Sequence, residues 1–244
     1  MNTPLLVARV RSSDWNTTAL LDQCSVVVDA HLDSEFMARG ISDDGVSVSV
    51  AVETLRAISK ANNNNNGGPS SYPFKAPVIF SFSCEEEGLQ GAVMLLTKHP
   101  WGKTVCAAIN LESAGPASRA DTLLQATGRY AASMYGKAPI PAAYALSSDI
   151  FQKFHLSYTH FNIYRDAGIP CIDDVFVYGG WWYHTPQDNL DRVKPGALQN
   201  MGVNLMGILP VITSKLSRDK AVLNDIPAGW LTSFNSSSIL TFAE

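Results

Sequence analysis

The sequence has little charge and no cluster of basic residues. Charged residues make up 16% of the 244 residues, and the formal net charge is −4. Nucleic-acid-binding domains carry clustered lysine and arginine, so this composition argues against a nucleic-acid partner. Long apolar runs are also missing: the most apolar late stretch, residues 206–212, is far shorter than a membrane span, and no apolar core follows a basic region at the start. The sequence therefore predicts a soluble domain without a membrane span.

Cysteine is scarce and lacks paired spacing. The four cysteines, at positions 24, 84, 106 and 171, form no CxxC pair, so neither a zinc ribbon nor a redox pair is indicated. Cys84, Cys106 and Cys171 lie in apolar runs typical of strands. We expect these three to be buried thiols rather than catalysts.

The length and the apolar runs predict one α/β domain. A chain of 244 residues can bury about 70 to 75% of its unfolded surface in a single core. We expect a domain over residues 1–244 with a mixed, mostly parallel central sheet flanked by helices. Strand-like runs occupy residues 5–11, 25–30, 77–83, 104–111, 121–127 and 169–177. Helical patterns occupy residues 45–60, 88–98, 148–154, 159–167 and 195–208.

Three local features add detail to this prediction. The first two strand-like runs are separated by a short polar stretch, which predicts an antiparallel pair. Residues 61–71 are rich in asparagine and predict a low-complexity loop inserted within the domain. Pro210 is expected to kink or end the last helix, because proline cannot donate a helical hydrogen bond.

The most informative stretch is the motif CEEEGLQGA at residues 84–92, where an apolar strand gives way to a helix. Three adjacent carboxylates, Glu85 to Glu87, repel one another, so some of their pKa values would rise unless a cation or a solvated loop offset the repulsion. A solvated helix N-terminus explains the same acids, since negative charge is favourable there. The motif alone leaves both interpretations open.

Other imidazoles and carboxylates follow strand-like runs in the same way: His31, Asp43, Glu112 and His184. Each has a structural alternative: a buried histidine for the imidazoles, and a helix cap for Asp43 or Asp44. Open α/β sheets bind ligands at the carboxyl ends of their strands. Mixed histidine and carboxylate ligation suits Zn²⁺, and a set of this size is enough for two ions.

Six motifs in order along the chain carry a resemblance to a known family: AHLDS, SDDGVS, SCEEEGLQGA, INLESAG, FNIYRDAGIP and YHTPQDNL. Together they resemble the co-catalytic dizinc exopeptidases of the aminopeptidase type (the MH clan), and among these the endoplasmic reticulum metallopeptidases. Each motif is weak alone, but the ordered set is specific. The resemblance implies the zinc exopeptidase fold and removal of N-terminal residues from peptide or protein substrates. It also implies a location in the endoplasmic reticulum or the secretory pathway.

The resemblance assigns a role to each candidate site residue. It implies two zinc ions per chain, one bound by His31 and Glu112, the other by Glu86 and His184, with Asp43 bridging both. Glu85 would be the general base that takes the proton from the attacking water. Asp33 would orient His31, since metal-bound histidine usually donates its second nitrogen to a carboxylate. Tyr183, which precedes His184, would be an oxyanion donor.

The sequence departs from this family in two respects. Tyr158 and His160 stand where the resembling metallopeptidases have acids, which is expected to affect the fit of the substrate. Those proteins also have helical sequence before the first strands, so the domain is expected to be truncated at its N-terminus. Two alternatives stay open: a single-zinc enzyme like the glutaminyl cyclases, and a non-catalytic peptidase homologue, although no expected ligand or base is missing.

Overall fold

The computed structural model describes residues 4–12, 24–63, 74–84, 89–115, 122–141, 143–144 and 158–218. These residues contain one seven-stranded sheet with the order β1-β3-β2-β4-β7-β5-β6. The strands are β1 Leu5–Val10, β2 Ser25–His31, β3 Val78–Ser83, β4 Val105–Ser113, β5 Thr122–Ala126, β6 Ala143–Tyr144 and β7 Cys171–Phe176. Four of the strand pairs are parallel and two are antiparallel. The predicted mixed, mostly parallel sheet is confirmed.

The predicted antiparallel pairing of the first two strands is wrong. β1 pairs antiparallel with β3, whereas β2 lies between β3 and β4 and is parallel to both. Every residue of β2 is buried, as expected for a central strand covered on both faces. β1 stays at the edge, where Leu6 is 64% exposed. β2 therefore takes a central position between two parallel neighbours, although it follows β1 directly along the chain.

In the described part of the chain, five α-helices accompany the sheet: α1 Ser47–Asn63, α2 Gln90–Lys98, α3 Arg129–Tyr135, α4 His160–Asp166 and α5 Ala197–Arg218. α1 continues three residues into the stretch 61–71 that was predicted to be a loop, and the rest of that stretch lies outside the described residues. The helical pattern at 148–154 also lies outside them.

The last helix is longer than predicted, because α5 continues for eight residues beyond Pro210. Proline removes one helical hydrogen bond. The apolar face nevertheless continues past it, and Leu209, Ile212 and Leu216 are all buried in the core. Packing of this face against the sheet holds the helix together across the missing bond.

Among the described residues, two hydrophobic clusters cover the two faces of the sheet. Alternate residues of β2 point to opposite faces: Val26 and Val28 belong to the larger cluster with α1, α3 and α5, and Val27 belongs to the smaller cluster with α2 and α4. The sheet is therefore covered on both sides, and its loops at the carboxyl ends of the strands remain available for a site.

The expectation of a thiol at Cys106 is wrong, because Cys24 and Cys106 form a disulfide with a Cα–Cα distance of 5.3 Å. Ser25 and Val105 are partners in the β2–β4 ladder. Cys24 directly precedes Ser25, and Cys106 directly follows Val105, so the two cysteines lie close together across the two strands. Cys171 is a buried thiol as predicted, and burial raises its pKa well above the usual value. Among the described helices, none is both long enough and apolar enough to cross a membrane.

Candidate metal centre

Four of the predicted site residues come together at the carboxyl ends of the parallel strands. His31 is the last residue of β2, and Glu112 is the penultimate residue of β4. Asp43 lies in the short irregular turn Ile41–Val46 before α1, and His184 lies in the loop after β7. The strand order places β2, β4 and β7 side by side, so these segments meet at one edge of the sheet.

Asp43 is at the middle of this cluster and contacts two imidazoles. Its Oδ1 lies 3.1 Å from Nε2 of His31, and its Oδ2 lies 3.1 Å from Nε2 of His184. Glu112 Oε1 lies 3.3 Å from the same nitrogen of His31. Asp43 is 2% exposed, whereas the His184 side chain is 27% exposed. The cluster is thus buried on the side of the sheet and open at His184.

The second nitrogen of His31 faces Asp33, although mainly through the backbone. Nδ1 of His31 lies 3.0 Å from the carbonyl oxygen of Asp33 and 3.5 Å from its carboxylate. Asp44 accepts a hydrogen bond of 3.2 Å from the backbone N–H of His31, and the Asp43–Asp44 peptide bond is cis. A carbonyl acceptor at Nδ1 leaves Nε2 as the nitrogen directed at the cluster.

The charges of this cluster strongly perturb one another. Burial raises the pKa of Asp43 and of Asp44, and the negative charge of Glu112 raises both further. Burial opposes ionisation of Glu112 as well, but the charge of His31 brings its pKa below the usual value. For His31, burial lowers the pKa, yet Glu112 and Asp44 more than reverse this, and the net pKa lies well above the usual value. The acids of the cluster therefore require positive charge beside them.

The donor set fits a metal cation. Ligand atoms of His31, Asp44 and Glu112 lie within 4.8 Å of one another, and all three residues are buried. Asp44 is part of this group by distance, whereas Asp43 is the residue whose two oxygens contact both imidazoles. Nitrogen and carboxylate ligands in a buried, mutually repelling set are those of a Zn²⁺ site.

Tyr183, the neighbour of His184 in the chain, stacks on the His184 ring. The two rings are 3.6 Å apart between centroids, with an angle of 19° between their planes. His184 itself has a positive φ of 55°, a backbone conformation that few residues other than glycine adopt. The stacked pair fixes the direction of the His184 ring at the open side of the cluster.

Glu85 and Glu86 lie outside the described residues, which end at Cys84 and resume at Leu89. β3 ends at Ser83 and α2 begins at Gln90, so the acidic motif lies between a strand end and a helix as predicted. Their roles as general base and zinc ligand stay predictions from the sequence.

One residue at the site was missed by the sequence analysis, although it lies in a motif that was singled out. Asp188 is 1% exposed and accepts hydrogen bonds from the backbone N–H groups of Ser42 and Asp43. It also accepts one from the Ser42 hydroxyl, at 2.5 Å. An acid four residues after a candidate histidine ligand was the only signal available, and it does not indicate which backbone the acid would contact.

A row of buried polar side chains crosses the sheet beneath the cluster. These residues are partners in adjacent strand ladders: Ser81, Asp29, Asn110, Asp173 and Gln125. Asp173 accepts hydrogen bonds of 2.9 Å from Asn110 and 2.8 Å from Gln125. Asp29 and Asn110 precede His31 and Glu112 by two residues, so they lie on the same face of the sheet. The row therefore supports the two strands that carry the cluster.

Helix α4 covers this row, and His160 belongs to that cover. Tyr164 donates a hydrogen bond of 2.6 Å to Asp29, and Nδ1 of His160 lies 3.3 Å from the same carboxylate oxygen. His160 is only 2% exposed, whereas Tyr158 is 50% exposed. The His160 ring is buried against the sheet, with its centroid 6.5 Å from that of the His31 ring, and its effect on substrate fit stays a prediction.

Comparison with known proteins shows the same family along most of the chain. The model of peptidase family M28 matches residues 12–209. Endoplasmic reticulum metallopeptidase 1 of Homo sapiens is 36% identical over 194 residues, which are 77% of this chain and 20% of that protein. A vacuolar membrane protease of Yarrowia lipolytica is 33% identical over 214 residues, 87% of this chain and 20% of that protein. The chain thus spans about a fifth of the length of these relatives.

Solved structures with the same fold include a zinc aminopeptidase from Bacillus subtilis. It matches 92% of this chain and 53% of its own, with a TM-score of 0.62 and 18% identity. A glutaminyl cyclase from Porphyromonas gingivalis matches 86% of this chain and 83% of its own, with a TM-score of 0.55 and 19% identity. At these identities the likeness establishes the fold and not the reaction.

Proposed function

The chain belongs to peptidase family M28, and on that basis we propose that it is a zinc aminopeptidase that removes residues from the N-terminus of peptide or protein substrates. We propose two zinc ions per chain. Their ligands would be His31, Asp43, Glu112, His184 and Glu86. The last of these comes from the sequence motif, because Glu86 lies outside the described residues.

The contact of Asp43 with both imidazoles carries this proposal. The two oxygens of one carboxylate each lie 3.1 Å from a different histidine nitrogen, which is the arrangement expected of a carboxylate shared by two metal ions. A helix cap would instead direct an oxygen to the backbone N–H groups of the first helical turn. The observed direction of the Asp43 side chain supports the bridging role.

Each remaining residue has a task that follows from its contacts. His31 keeps its Nε2 toward the cluster because its Nδ1 faces the Asp33 carbonyl at 3.0 Å. Glu112 adds a second negative charge beside His31. Tyr183 holds the ring of His184 by stacking, and a role for its hydroxyl as oxyanion donor remains part of the proposal.

When bound, the zinc ions would polarise the substrate carbonyl and make a bound water more acidic. Glu85 would accept a proton from the attacking water and return it to the leaving amine. The free N-terminus of the substrate would lie beside the carboxylates of the cluster, because their negative charge attracts the positively charged amine. Cleavage would therefore be limited to the first peptide bond.

We also propose that the chain works in the lumen of the secretory pathway. The Cys24–Cys106 disulfide supports this, because structural disulfides persist in oxidising compartments and are rare in the cytosol. The names of the curated relatives, an endoplasmic reticulum metallopeptidase and a vacuolar membrane protease, point to the same set of compartments.

The activity is tested with matched peptides that carry either a free or an acetylated N-terminus. We expect the protein to release the first amino acid of the free peptide only. Chelation should abolish the release, and added Zn²⁺ should restore it. Conversion of an N-terminal glutamine to pyroglutamate, with loss of ammonia and an intact peptide, would support the glutaminyl cyclase alternative. Inert protein with bound zinc would support the non-catalytic alternative.

The role of Glu85 is tested with Glu85→Gln. An amide cannot accept the proton, so we expect hydrolysis to fall by about 100-fold or more while zinc content is unchanged. Wild-type rates in this variant would show that another residue acts as the base.

A further inference from the structure

Asp188 makes an unusual set of contacts for a buried carboxylate. It is 1% exposed, and both of its oxygens accept hydrogen bonds from uncharged donors. Its Oδ1 accepts from the N–H and the hydroxyl of Ser42, and its Oδ2 accepts from the N–H groups of Ser42 and Asp43. Carboxylates held by several such donors are fixed in both position and direction.

The residue that Asp188 holds is the same one that contacts His184. The hydrogen bonds that Asp188 accepts from the N–H groups of Ser42 and Asp43 fix the backbone from which the Asp43 side chain projects. That side chain reaches His184, which lies four residues before Asp188 in the same loop. A turn joins them, in which the N–H of Asp188 donates to the carbonyl of Thr185 at 3.1 Å. The loop after β7 therefore contacts Asp43 from two directions.

We propose that Asp188 is a positioning residue that sets Asp43 between His31 and His184, so that the metal centre is assembled before the ions bind. This inference rests on the proposed function, because the task of Asp43 there is to bridge two zinc ions. Without Asp188, the turn at residues 41–46 would hold Asp43 less firmly, and each ion would bind to a ligand that must first be ordered.

The chemistry of Asp188 makes Asp188→Asn a selective test. Asparagine has nearly the same shape, but one of its two oxygen positions becomes an NH₂ group, which is a donor. Both carboxylate oxygens accept hydrogen bonds from backbone N–H groups. Whichever way the amide turns, its NH₂ group therefore faces an N–H group, and that hydrogen bond is lost. The variant therefore removes part of the hold on residues 42 and 43 with little change in packing.

The experiment measures zinc affinity by competition with a chromophoric chelator, together with kcat and KM. We expect Asp188→Asn to bind zinc about 10- to 100-fold more weakly, the range found when residues behind metal ligands are changed. Its kcat should fall while KM changes little. Two controls are included: Asp191→Asn changes an exposed carboxylate in the same loop, and Ile208→Val changes a buried residue of α5 in the larger hydrophobic cluster. Both should bind zinc like wild type.

Each outcome decides the question. Wild-type zinc affinity in folded Asp188→Asn would overturn the positioning role while leaving the zinc site in place. An equal loss in Ile208→Val would show that general destabilisation explains the effect. If wild-type protein bound no zinc, the proposed function and this inference would both fail. Should Asp188→Asn not fold, Ser42→Ala removes only the hydroxyl contact, and a zinc affinity unchanged from wild type would then count against the inference.

Discussion

At the scale of single residues, Asp43 has the contacts that distinguish a shared ligand from a helix cap. Its oxygens lie beside the nitrogens of His31 and His184 rather than beside the first N–H groups of α1. Burial and the charge of Glu112 raise its pKa, so the ionised form needs a nearby cation. Two ions on either side of one carboxylate would provide it.

Replacing Asp43 and Glu112 separately should have different effects on zinc binding. We expect Asp43→Ala to lower the affinity for both zinc ions by more than about 100-fold, because it removes the shared ligand and the negative charge between the cations. Glu112→Ala should lower mainly the affinity for the zinc ion beside His31. Zinc titration of metal-free variants, with Asp191→Asn as a control for loss of a surface carboxylate, measures this difference.

The alternative for Asp43 gives a different result. A residue that only caps α1 would cost about 0.5 to 2 kcal/mol of stability when replaced by alanine and would leave the zinc content unchanged. Tight binding of two zinc ions by Asp43→Ala, together with a lower melting temperature, would contradict the bridging role.

Asp174 provides a second prediction at this scale, away from the metal centre. It lies on β7 between Ile172 and Phe176 of the larger hydrophobic cluster. Burial, with a contribution from the charge of Asp173, raises its pKa from 3.8 to about 7. Between these values the folded protein keeps the proton that the unfolded chain has lost. Its contribution to stability is therefore lost as the pH rises from about 4 to about 7, by up to about 4 kcal/mol.

The variant Asp174→Asn should lack this part of the pH dependence, because the amide does not ionise. We expect it to be more stable than wild type at pH 8 and to differ less from wild type at pH 5. Urea unfolding at a series of pH values measures this, with Asp191→Asn as an exposed control. The same change in the free energy of unfolding for both variants, or a gain in stability for Asp174→Asn only at low pH, would contradict a raised pKa at Asp174.

At the level of helices and strands, the sequence predicts most of the described elements, although not α3 or β6, and their pairing less well. Apolar runs located β2, β3, β4 and β7 because strands buried on both faces are nearly continuous in apolar residues. The partner of β1 was not predictable in this way, since an edge strand carries no signal for which neighbour it joins. α5 was predicted too short, because proline indicates a local break whereas the buried apolar face continues past Pro210.

The disulfide was missed for a related reason. Cys24 and Cys106 are separated by 82 residues along the chain, and their closeness depends on the register of β2 with β4. The polar row beneath the cluster was missed as well: residues such as Asn110 and Gln125 look unremarkable alone, and only the pairing of strands places them together.

The disulfide gives a prediction at this scale. It closes a long loop between two central strands, so its loss should lower the free energy of unfolding by about 2 to 5 kcal/mol. We expect the double variant Cys24→Ser with Cys106→Ser to melt at a lower temperature than wild type and to lose the sensitivity of the melting temperature to reductant. The variant Cys171→Ser is the control, since Cys171 is a free thiol. An unchanged melting temperature in the double variant would contradict a structural role.

At the scale of the whole molecule, six short motifs spread over about 160 residues identified the family before the fold was known, and the match over residues 12–209 confirms it. Four predicted site residues meet at one edge of the sheet, as the strand-end positions of their motifs implied. The hold of Asp188 on Asp43 could not be predicted, because it depends on the path of two loops. The extent of the domain over residues 1–244 stays a prediction.

If these residues form a centre for two zinc ions, the purified protein carries both ions, and they can be counted. Elemental mass spectrometry of the folded protein, purified without chelator, should find close to two zinc ions per chain, because one ion would leave buried carboxylates uncompensated. The double variant His31→Ala with His184→Ala should retain almost none. Folded wild-type protein with no bound zinc, or the same zinc content in that double variant, would show that these residues do not form a zinc centre.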